Sequence, residues 1–205
     1  DAFLYEAKCA EVRVLVVGDP LCATTHTDLI LRAIDKGVDY KVIHNASAMS
    51  AAASCGLQQY QMGYTVSIPW FEGDWKPDSF YYRIKYNKNG GMPTRCLLDI
   101  KVKEPDYESL AKGKGIKYLP PRFMTVNIAI EQLLEIEGIR NEGVLSADAE
   151  AVGMARLGQD TQQIVYGTLA QLLSCDFGGP LHCLALCGEL HPLEVQFLEH
   201  LRVKA

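Results

Sequence analysis

The sequence predicts an α/β fold with two domains, the first a partial parallel sheet and the second a mixed sheet. Apolar stretches typical of buried strands alternate with amphipathic helices before Gly63, which is the pattern of a doubly wound parallel sheet. After Gly63 strands and helices follow each other less regularly. We therefore expect residues 1–63 to form the C-terminal part of an N-terminal parallel α/β domain, and residues 64–205 to form a mixed α/β second domain.

One continuous stretch predicts the first strand and the first helix. Residues 12–17 (VRVLVV) are almost entirely apolar, as in a strand that is buried on both faces. Pro20 disfavours a helical conformation of Asp19, so the strand must end there. Apolar residues recur at helical spacing between positions 26 and 36, and Gly37 stands where a glycine commonly ends a helix.

The remaining elements are predicted from the same kinds of signal. A second strand at 39–45 (DYKVIHN) precedes a helix in the small-residue segment 47–56. Further strands are predicted at 65–71, 95–101, 151–158, 162–167 and 182–188. Further helices are predicted at 79–89 with Asp78 as cap and Gly90 as stop, at 126–137 with Thr125 as cap and Gly138 beyond its end, at 168–174, and at 192–201 with Pro192 in the first turn.

The composition is that of an ordinary packed protein. Of the 205 residues, 48% are hydrophobic and 22% are charged, and no apolar run is as long as a membrane span. The net charge of −5 gives no reason to expect a nucleic-acid surface. The seven cysteines lack CxxC spacing, which favours reduced, mostly buried thiols in the cytosol over disulfides or a zinc site. We therefore expect a cytoplasmic protein without a metal, a nucleic-acid partner or membrane association.

Residues 101–122 are predicted to form a long loop bracketed by prolines. The loop is locally basic, with six Lys and Arg residues against three Asp and Glu residues. Loops of this length inside a compact domain are often functional or disordered. Two interpretations stay open, a solvated excursion and a partner-binding surface.

The polar turn at 18–26 (GDPLCATTH) follows the carboxyl end of the first predicted strand. Open α/β sheets bind small molecules at that edge of the sheet, near the point where the strand order reverses. Many such turns only connect two elements. The turn is therefore a candidate ligand site, with a plain connection as the alternative.

Six segments, in order along the chain, resemble the diphthine synthase family. They are GDPLCATTH (18–26), VIHNAS (42–47), LLDIKVKEP (97–105), PPRFMTVN (120–127), ARLGQD (155–160) and GELHPLE (188–194). The resemblance runs from Ala2 to Leu201, and the long segment 101–122 is similar to the eukaryotic branch. It implies a two-domain tetrapyrrole-methylase-like fold with the cofactor in the cleft between the domains, and a homodimer. Family members carry a further segment before the point where this chain begins, so the first domain is expected only in part.

The same resemblance implies a methyltransferase that uses S-adenosyl-L-methionine and releases S-adenosyl-L-homocysteine. The eukaryotic branch makes diphthine methyl ester, with three methyl groups on an amine nitrogen and one on a carboxylate of a modified histidine in translation elongation factor 2. Two alternatives stay open. One is a non-catalytic, truncated remnant that only dimerises or binds the elongation factor. The other is a methylase of porphyrin-like rings, which the segments 120–127 and 188–194 disfavour.

The resemblance also implies which residues contact the cofactor. In chain order these are Asp19, Cys22, Ser47, Ala48, Leu98, Leu157 and His182. The first four belong to the turn and to the end of the second predicted strand, where a serine hydroxyl or a backbone carbonyl can hold the amino-acid or ribose part. The last three would come from the second domain and enclose the adenine. No catalytic residue is implied, but Asp19 and Asp99 are carboxylates that could ease proton loss from the acceptor amine.

Each of these residues has a purely structural alternative. Asp19 could be an ordinary turn residue, and Ser47 could cap the helix that follows it. The two leucines could be core residues on strands. His182 could be a hydrogen-bonded histidine at the edge of a strand.

Overall fold

The computed structural model describes residues 2–113 and 115–204, and leaves the side chain of Glu108 undescribed. The chain separates into two compact units, Asp1–Ala52 and Ala53–Ala205. The domain boundary near Gly63 stays a prediction.

Three helices are described in the first unit: α1 (Ala2–Glu6), α2 (Thr27–Asp35) and α3 (Ala48–Ala51). The end of α2 confirms the prediction from Gly37, which takes a φ of +66°. The amides of Gly37 and Val38 donate to the carbonyls of Ile34 and Ala33, both at 2.9 Å. These bonds satisfy carbonyl groups that the last turn of a helix leaves without partners.

The two strands predicted in the first unit are not formed. No strand is described within residues 2–52, and the segments 12–17 and 39–45 have no ladder partner there. Three of the five apolar side chains of 12–17 are exposed, with Leu15 at 93% of its full accessibility, and Val12 and Val16 are half-buried. The prediction fails because a strand needs a neighbour to complete its backbone hydrogen bonds, and an apolar run cannot supply that neighbour itself.

The second unit is built on a mixed sheet, as predicted for the part of the chain after Gly63. Its strands are β1 (Val66–Ile68), β2 (Thr94–Leu98), β3 (Ile100–Lys101), β4 (Arg122–Phe123), β5 (Glu150–Ala155), β6 (Gln163–Thr168) and β7 (His182–Leu186). Five of them form one sheet in the order β1-β2-β7-β5-β6, in which only β1 and β2 are parallel neighbours. β3 and β4 form a separate antiparallel pair.

Among the described residues, the second unit has five α-helices: α4 (Ser79–Asn89), α5 (Tyr107–Ala111), α6 (Val126–Arg140), α7 (Leu169–Leu173) and α8 (Pro192–Glu199). The central helix is α6, which buries Ile130, Leu133 and Ile136 in the core of this unit. Each such side chain, fully buried, contributes about 2 kcal/mol. Thr125 begins α6 as predicted, because its hydroxyl accepts the Ile128 N–H at 3.2 Å.

Two residues predicted to mark helix ends, Gly138 and Asp78, do not have that role in the structure. The helix α6 passes through Gly138 and ends at Arg140, followed by Asn141 in the left-handed conformation with a φ of +51°. Asp78 makes no capping bond to α4 and instead accepts hydrogen bonds from Arg140 at 2.5 and 2.8 Å. The long-range ion pair holds the end of α6 in place, so the glycine does not have to end the helix.

Residues 100–113 and 115–123 form a structured excursion, here named the arm, rather than an irregular loop. Its base is the pair of β3 and β4, and α5 lies within it. Between them, the Leu119 N–H donates to the Glu104 carbonyl and the Asp106 N–H to the Lys117 carbonyl, both at 2.9 Å. These backbone bonds join the two sides of the arm.

The seven cysteines are all free thiols, but fewer of them are buried than predicted. Cys55, Cys96 and Cys183 are buried, whereas Cys9 and Cys22 are exposed. Burial raises the pKa of the Cys183 thiol to about 11, so this group stays protonated and unreactive near neutral pH. Cys9 and Cys22 both belong to the first unit, where the expected sheet is not formed.

Within residues 2–113 and 115–204, none of the helices combines the length and the apolar character needed to span a bilayer. The same described residues contain no cluster of three or more His, Cys, Asp and Glu side chains suited to a metal ion.

Candidate functional site

The turn that follows residues 12–17 is organised by the carboxylate of Asp19. Asp19 is 8% exposed and accepts three hydrogen bonds. The donors are the Leu21 N–H at 2.9 Å, the His44 ring nitrogen Nδ1 at 2.8 Å and the Asn45 N–H at 3.2 Å. One side chain thus joins the turn at 18–26 to the segment that begins at His44.

These hydrogen bonds determine the charge of Asp19. The Leu21 N–H and, next, the His44 ring lower the pKa of Asp19 to about 2. The carboxylate is therefore ionised across the whole physiological range, and it is a very weak base. Asp19 is consequently unsuited to take a proton from an amine, one of the two roles considered for it above.

The backbone also brings these two segments together. Gly18 has a φ of +84°, and a Cβ at this position would lie 3.5 Å from the Ala46 carbonyl oxygen. The exposed thiol of Cys22 lies further along the same turn. Four of the residues predicted to contact the cofactor therefore belong to two adjoining segments of the first unit.

Ser47 caps α3, which is the structural role considered for it in the sequence. Its hydroxyl oxygen accepts the Met49 N–H at 3.1 Å, and its backbone N–H donates to the Ser50 hydroxyl at 3.3 Å. As an acceptor in the first bond, the hydroxyl keeps its own proton for donation to a ligand. Ala48 follows as the exposed first residue of α3. The capping role and a ligand contact are therefore compatible.

The three predicted residues of the second unit lie at the same end of three neighbouring strands of its sheet, β2, β7 and β5. Leu98 ends β2, His182 begins β7, and Leu157 stands two residues beyond the end of β5. In the register of these strands Ala155 pairs with His182, and Leu97 with Cys183. Because β7 is antiparallel to both β2 and β5, its start lies beside their ends. Sequence periodicity does not reveal this arrangement.

Both ring nitrogens of His182 are engaged by the backbone. Nδ1 accepts the Val126 N–H at 3.3 Å, while Nε2 lies 3.2 and 3.0 Å from the carbonyl oxygens of Gly178 and Gly179. These partners require a neutral ring with its proton on Nε2. The ring borders a cavity of about 120 Å³ lined by Phe123, Met124, Thr125, Gly178, Pro180 and His182.

Comparison with known proteins identifies the family. The chain is 52% identical over 204 residues to a diphthine methyl ester synthase of Dictyostelium discoideum, covering 100% of this chain and 74% of the relative. It is 50% identical over 203 residues to the human diphthine methyl ester synthase, covering 97% and 71%. The chain belongs to this family. The protein is accordingly a methyltransferase with a role in diphthamide biosynthesis.

Two further comparisons agree with this assignment to the diphthine methyl ester synthases. Residues 3–85 match the family described as Tetrapyrrole (Corrin/Porphyrin) Methylases. A crystal structure of a diphthine synthase candidate from Entamoeba histolytica superimposes with a TM-score of 0.87 at 44% identity, covering 100% of this chain and 76% of that one. The predicted family and the tetrapyrrole-methylase-like α/β class are thus confirmed.

In this diphthine methyl ester synthase homologue, the two leucines differ in their surroundings. Leu98 is buried and belongs to the hydrophobic core, as its structural alternative states, so only its backbone is available to a ligand. Leu157 is half-buried and lies in a turn, not on the strand that the sequence predicted. The strand stops at Ala155 because Arg156 takes a positive φ of 50°, which a strand cannot continue.

Sequence reasoning did not single out His44, although it stands in the segment VIHNAS that carries the resemblance. The signal was available, because a histidine and an asparagine directly follow an apolar run. Asp99, the other carboxylate considered, accepts the Trp70 N–H at 3.2 Å. The seven cofactor contacts themselves stay predictions.

Proposed function

We propose that this protein transfers methyl groups from S-adenosyl-L-methionine to the modified histidine of translation elongation factor 2, forming diphthine methyl ester. The observation that carries this proposal is the identity of about half of all residues to diphthine methyl ester synthases along the whole chain. The product of the donor would be S-adenosyl-L-homocysteine.

We propose Asp19, Cys22, Ser47, Ala48, Leu98, Leu157 and His182 as the cofactor contacts. In the first unit, a hydroxyl proton on Ser47 and the exposed residue Cys22 suit the polar amino-acid and ribose parts. In the second unit, a neutral histidine and apolar side chains around the cavity suit an uncharged aromatic base. The residues present therefore fit the chemistry of the donor.

Methyl transfer from a sulfonium places modest demands on the protein. The donor supplies an activated methyl group, so the chain has to hold the acceptor atom in line with the bond that breaks. An acceptor carboxylate is already ionised near neutral pH, whereas an acceptor amine must first lose a proton. The two acceptor atoms of one substrate thus differ in what they require.

A methyl-transfer assay tests the proposed function. Elongation factor 2 carrying the unmethylated intermediate is incubated with the protein and S-adenosyl-L-methionine, and the modified peptide is weighed by mass spectrometry. Four added methyl groups, one of them lost on mild alkaline hydrolysis, would confirm diphthine methyl ester formation. No transfer, together with no heat by calorimetry at millimolar S-adenosyl-L-homocysteine, would instead support a non-catalytic remnant.

We propose the arm as the surface that docks the elongation factor. Its base is fixed by ionic bonds in which Arg122 contacts Glu104 at 2.7 Å and Glu72 at 2.8 Å, and Lys101 also contacts Glu72. The Arg122 guanidinium lowers the pKa of Glu104 through these bonds. A rigid base supports a docking role, because it lowers the entropy lost when a partner binds.

The outer part of the arm combines apolar and basic side chains. Tyr107, Ile116 and Tyr118 are exposed, as are Lys112 and Lys117. Lys114, which belongs to the same basic stretch, lies outside the described residues. An exposed apolar group with lysines around it fits a protein surface that is acidic and partly apolar.

We also propose a cytoplasmic homodimer. Seven free thiols are consistent with a reducing compartment. Light scattering of the purified protein would test the dimer, and fluorescence microscopy of a tagged protein would test the location.

A further inference from the structure

The buried carboxylate of Asp19 holds an exposed histidine in a defined orientation. Asp19 Oδ2 lies 2.8 Å from Nδ1 of His44, and the side chains are 6% and 69% exposed respectively. The Leu21 and Asn45 amides fix the same carboxylate from the protein side. His44 is thus anchored at one ring nitrogen while the rest of its ring is open to solvent.

This anchoring determines which ring nitrogen can accept a proton. An ionised carboxylate only accepts hydrogen bonds, so Nδ1 of His44 must carry a hydrogen and donate it to Asp19. In the neutral ring the lone pair is then on Nε2, on the opposite side of the imidazole. A carboxylate that orients a histidine in this way also stabilises the imidazolium that forms when Nε2 takes up a proton.

The proposed reaction needs such a group for only one of its two acceptor atoms. An aliphatic amine is largely protonated near neutral pH, and each nitrogen methylation requires a free lone pair. The carboxylate acceptor needs no proton removed. Asp19 itself, with a pKa of about 2, is too weak a base for this task.

We propose that His44 is the proton acceptor for the nitrogen methylations, an inference that rests on the function proposed above. Nε2 of His44 takes a proton from the substrate ammonium and leaves a lone pair on its nitrogen. The N–C bond then forms while the S–C bond of the donor breaks, and the electron pair of that bond stays on sulfur as a thioether. The imidazolium returns its proton to solvent before the next cycle.

The steps balance through all three nitrogen methylations. The first requires deprotonation of a primary ammonium, the second of a secondary one and the third of a tertiary one. The last product is a quaternary ammonium, which carries no proton. Ester formation follows without His44, since the carboxylate oxygen attacks the methyl group directly.

The experiment compares both acceptor atoms in the same variant, His44→Asn. Its amide nitrogen can still donate to Asp19, but it has no counterpart of Nε2. Nitrogen methylation is measured on elongation factor 2 carrying the unmethylated intermediate. Ester formation is measured separately on trimethylated factor whose ester has been removed by mild alkaline hydrolysis. We expect nitrogen methylation to fall about 100-fold, and ester formation to stay within about twofold of the parent protein.

The control is His200→Asn. His200 is exposed and belongs neither to the turn at 18–26 nor to the proposed cofactor contacts. Both rates should equal those of the parent protein. In His44→Gly, added imidazole should restore nitrogen methylation and leave ester formation unchanged.

A measurement without turnover accompanies the kinetics. Nitrogen-15 NMR of the ring should find the hydrogen of neutral His44 on Nδ1, and calorimetry should give the same affinity for S-adenosyl-L-homocysteine in His44→Asn as in the parent. A hydrogen on Nε2 would overturn the proposal.

The kinetic outcomes separate this proposal from the proposed function. If the two rates fall together, or neither falls, while the parent protein transfers methyl groups to both atoms, His44 is not the proton acceptor and the proposed function stands. If the parent protein transfers none, the proposed function fails and this proposal fails with it.

Discussion

Two histidines lie in the regions that we propose for the cofactor, but their surroundings differ. Both ring nitrogens of His182 meet backbone groups of the second unit, including the carbonyl of Gly179 at 3.0 Å. Among the hydrogen bonds described for residues 2–52, His44 is held only at Nδ1, by the carboxylate of Asp19.

The difference shows what a side chain can contribute to a reaction. A ring with both nitrogens engaged has a fixed tautomer, so His182 can form a wall but has no nitrogen left for proton exchange. A ring that a buried carboxylate holds at one nitrogen has a fixed orientation and a second nitrogen for a substrate. We therefore propose that the same residue type serves cofactor binding in one region and proton transfer in the other.

The largest effect is expected from removing the anchor of the first region. Asp19→Ala leaves the amides of Leu21 and Asn45 without their acceptor and releases His44. We expect the affinity for S-adenosyl-L-homocysteine to fall about 100-fold, measured by calorimetry. The control is Asp28→Ala, which removes an exposed ion pair with Arg32 at 2.9 Å and should change the affinity little. Equal effects of the two substitutions would contradict an organising role for Asp19.

A smaller effect is expected in the second region. His182→Ala removes the acceptor of the Val126 N–H and one wall of the cavity of about 120 Å³. We expect the free energy of unfolding to fall by about 1–2 kcal/mol and the cofactor affinity to fall about 10-fold. Chemical denaturation and calorimetry measure these quantities. His200→Ala, at an exposed histidine, should leave both near the parent values; if it matched His182→Ala, the wall would have no special role.

The arm tests whether substrate binding is separate from both histidine regions. The double substitution Lys112→Glu and Lys117→Glu reverses two exposed positive charges. We expect the KM for the elongation factor to rise about fivefold, because the introduced glutamates repel the acidic partner surface proposed above. The cofactor affinity should not change. Lys8→Glu reverses an exposed lysine of the first unit and should leave KM unchanged. An unchanged KM in the double variant would exclude the arm as the docking surface.

The smallest effect concerns pH and sharpens the account of Asp19. The pKa of Asp19 is lowered from 3.8 in the unfolded chain to about 2 in the folded protein. The ionised carboxylate therefore stabilises the fold at pH values above the pKa of the unfolded chain. This stabilisation is fully present above about pH 5 and is lost as the pH falls through about 2. Denaturation of the parent and of Asp19→Asn at several pH values should show the smaller dependence in the variant. Parallel curves would contradict the lowered pKa.

Local signals in the sequence predicted most of the helices and their ends. Gly37 ends α2 and Thr125 begins α6, because a positive φ and a side-chain acceptor act over a few neighbouring residues. The five strands of the main sheet in the second unit were also predicted, since their apolar residues fill one core. The strand β4 was not, because its residues were predicted to belong to a loop or to follow it. Residues 12–17 have the same apolar pattern without a described neighbour, and the prediction of a strand is wrong there.

The sequence identified the residues of the candidate site, but it did not reveal which hydrogen bonds they make. The segments GDPLCATTH and VIHNAS identify Asp19 and Ser47 through resemblance, yet they do not reveal that Asp19 accepts hydrogen bonds from residues 25 and 26 positions later in the chain. Leu98 and Leu157 look alike in sequence. One is buried in the core and the other lies in a turn after Arg156, because backbone conformation and burial depend on what packs around them.

The sequence by itself determined the family, the mixed α/β class and the residue types available for methyl transfer, since these depend on motifs and on local periodicity. Only the tertiary structure decided which groups meet. The Asp19 carboxylate contacts His44, backbone groups contact His182, and the ends of β2 and β5 lie beside the start of β7. Hydrogen bonds reach about 3 Å, so a role that depends on them becomes visible only when the chain is folded.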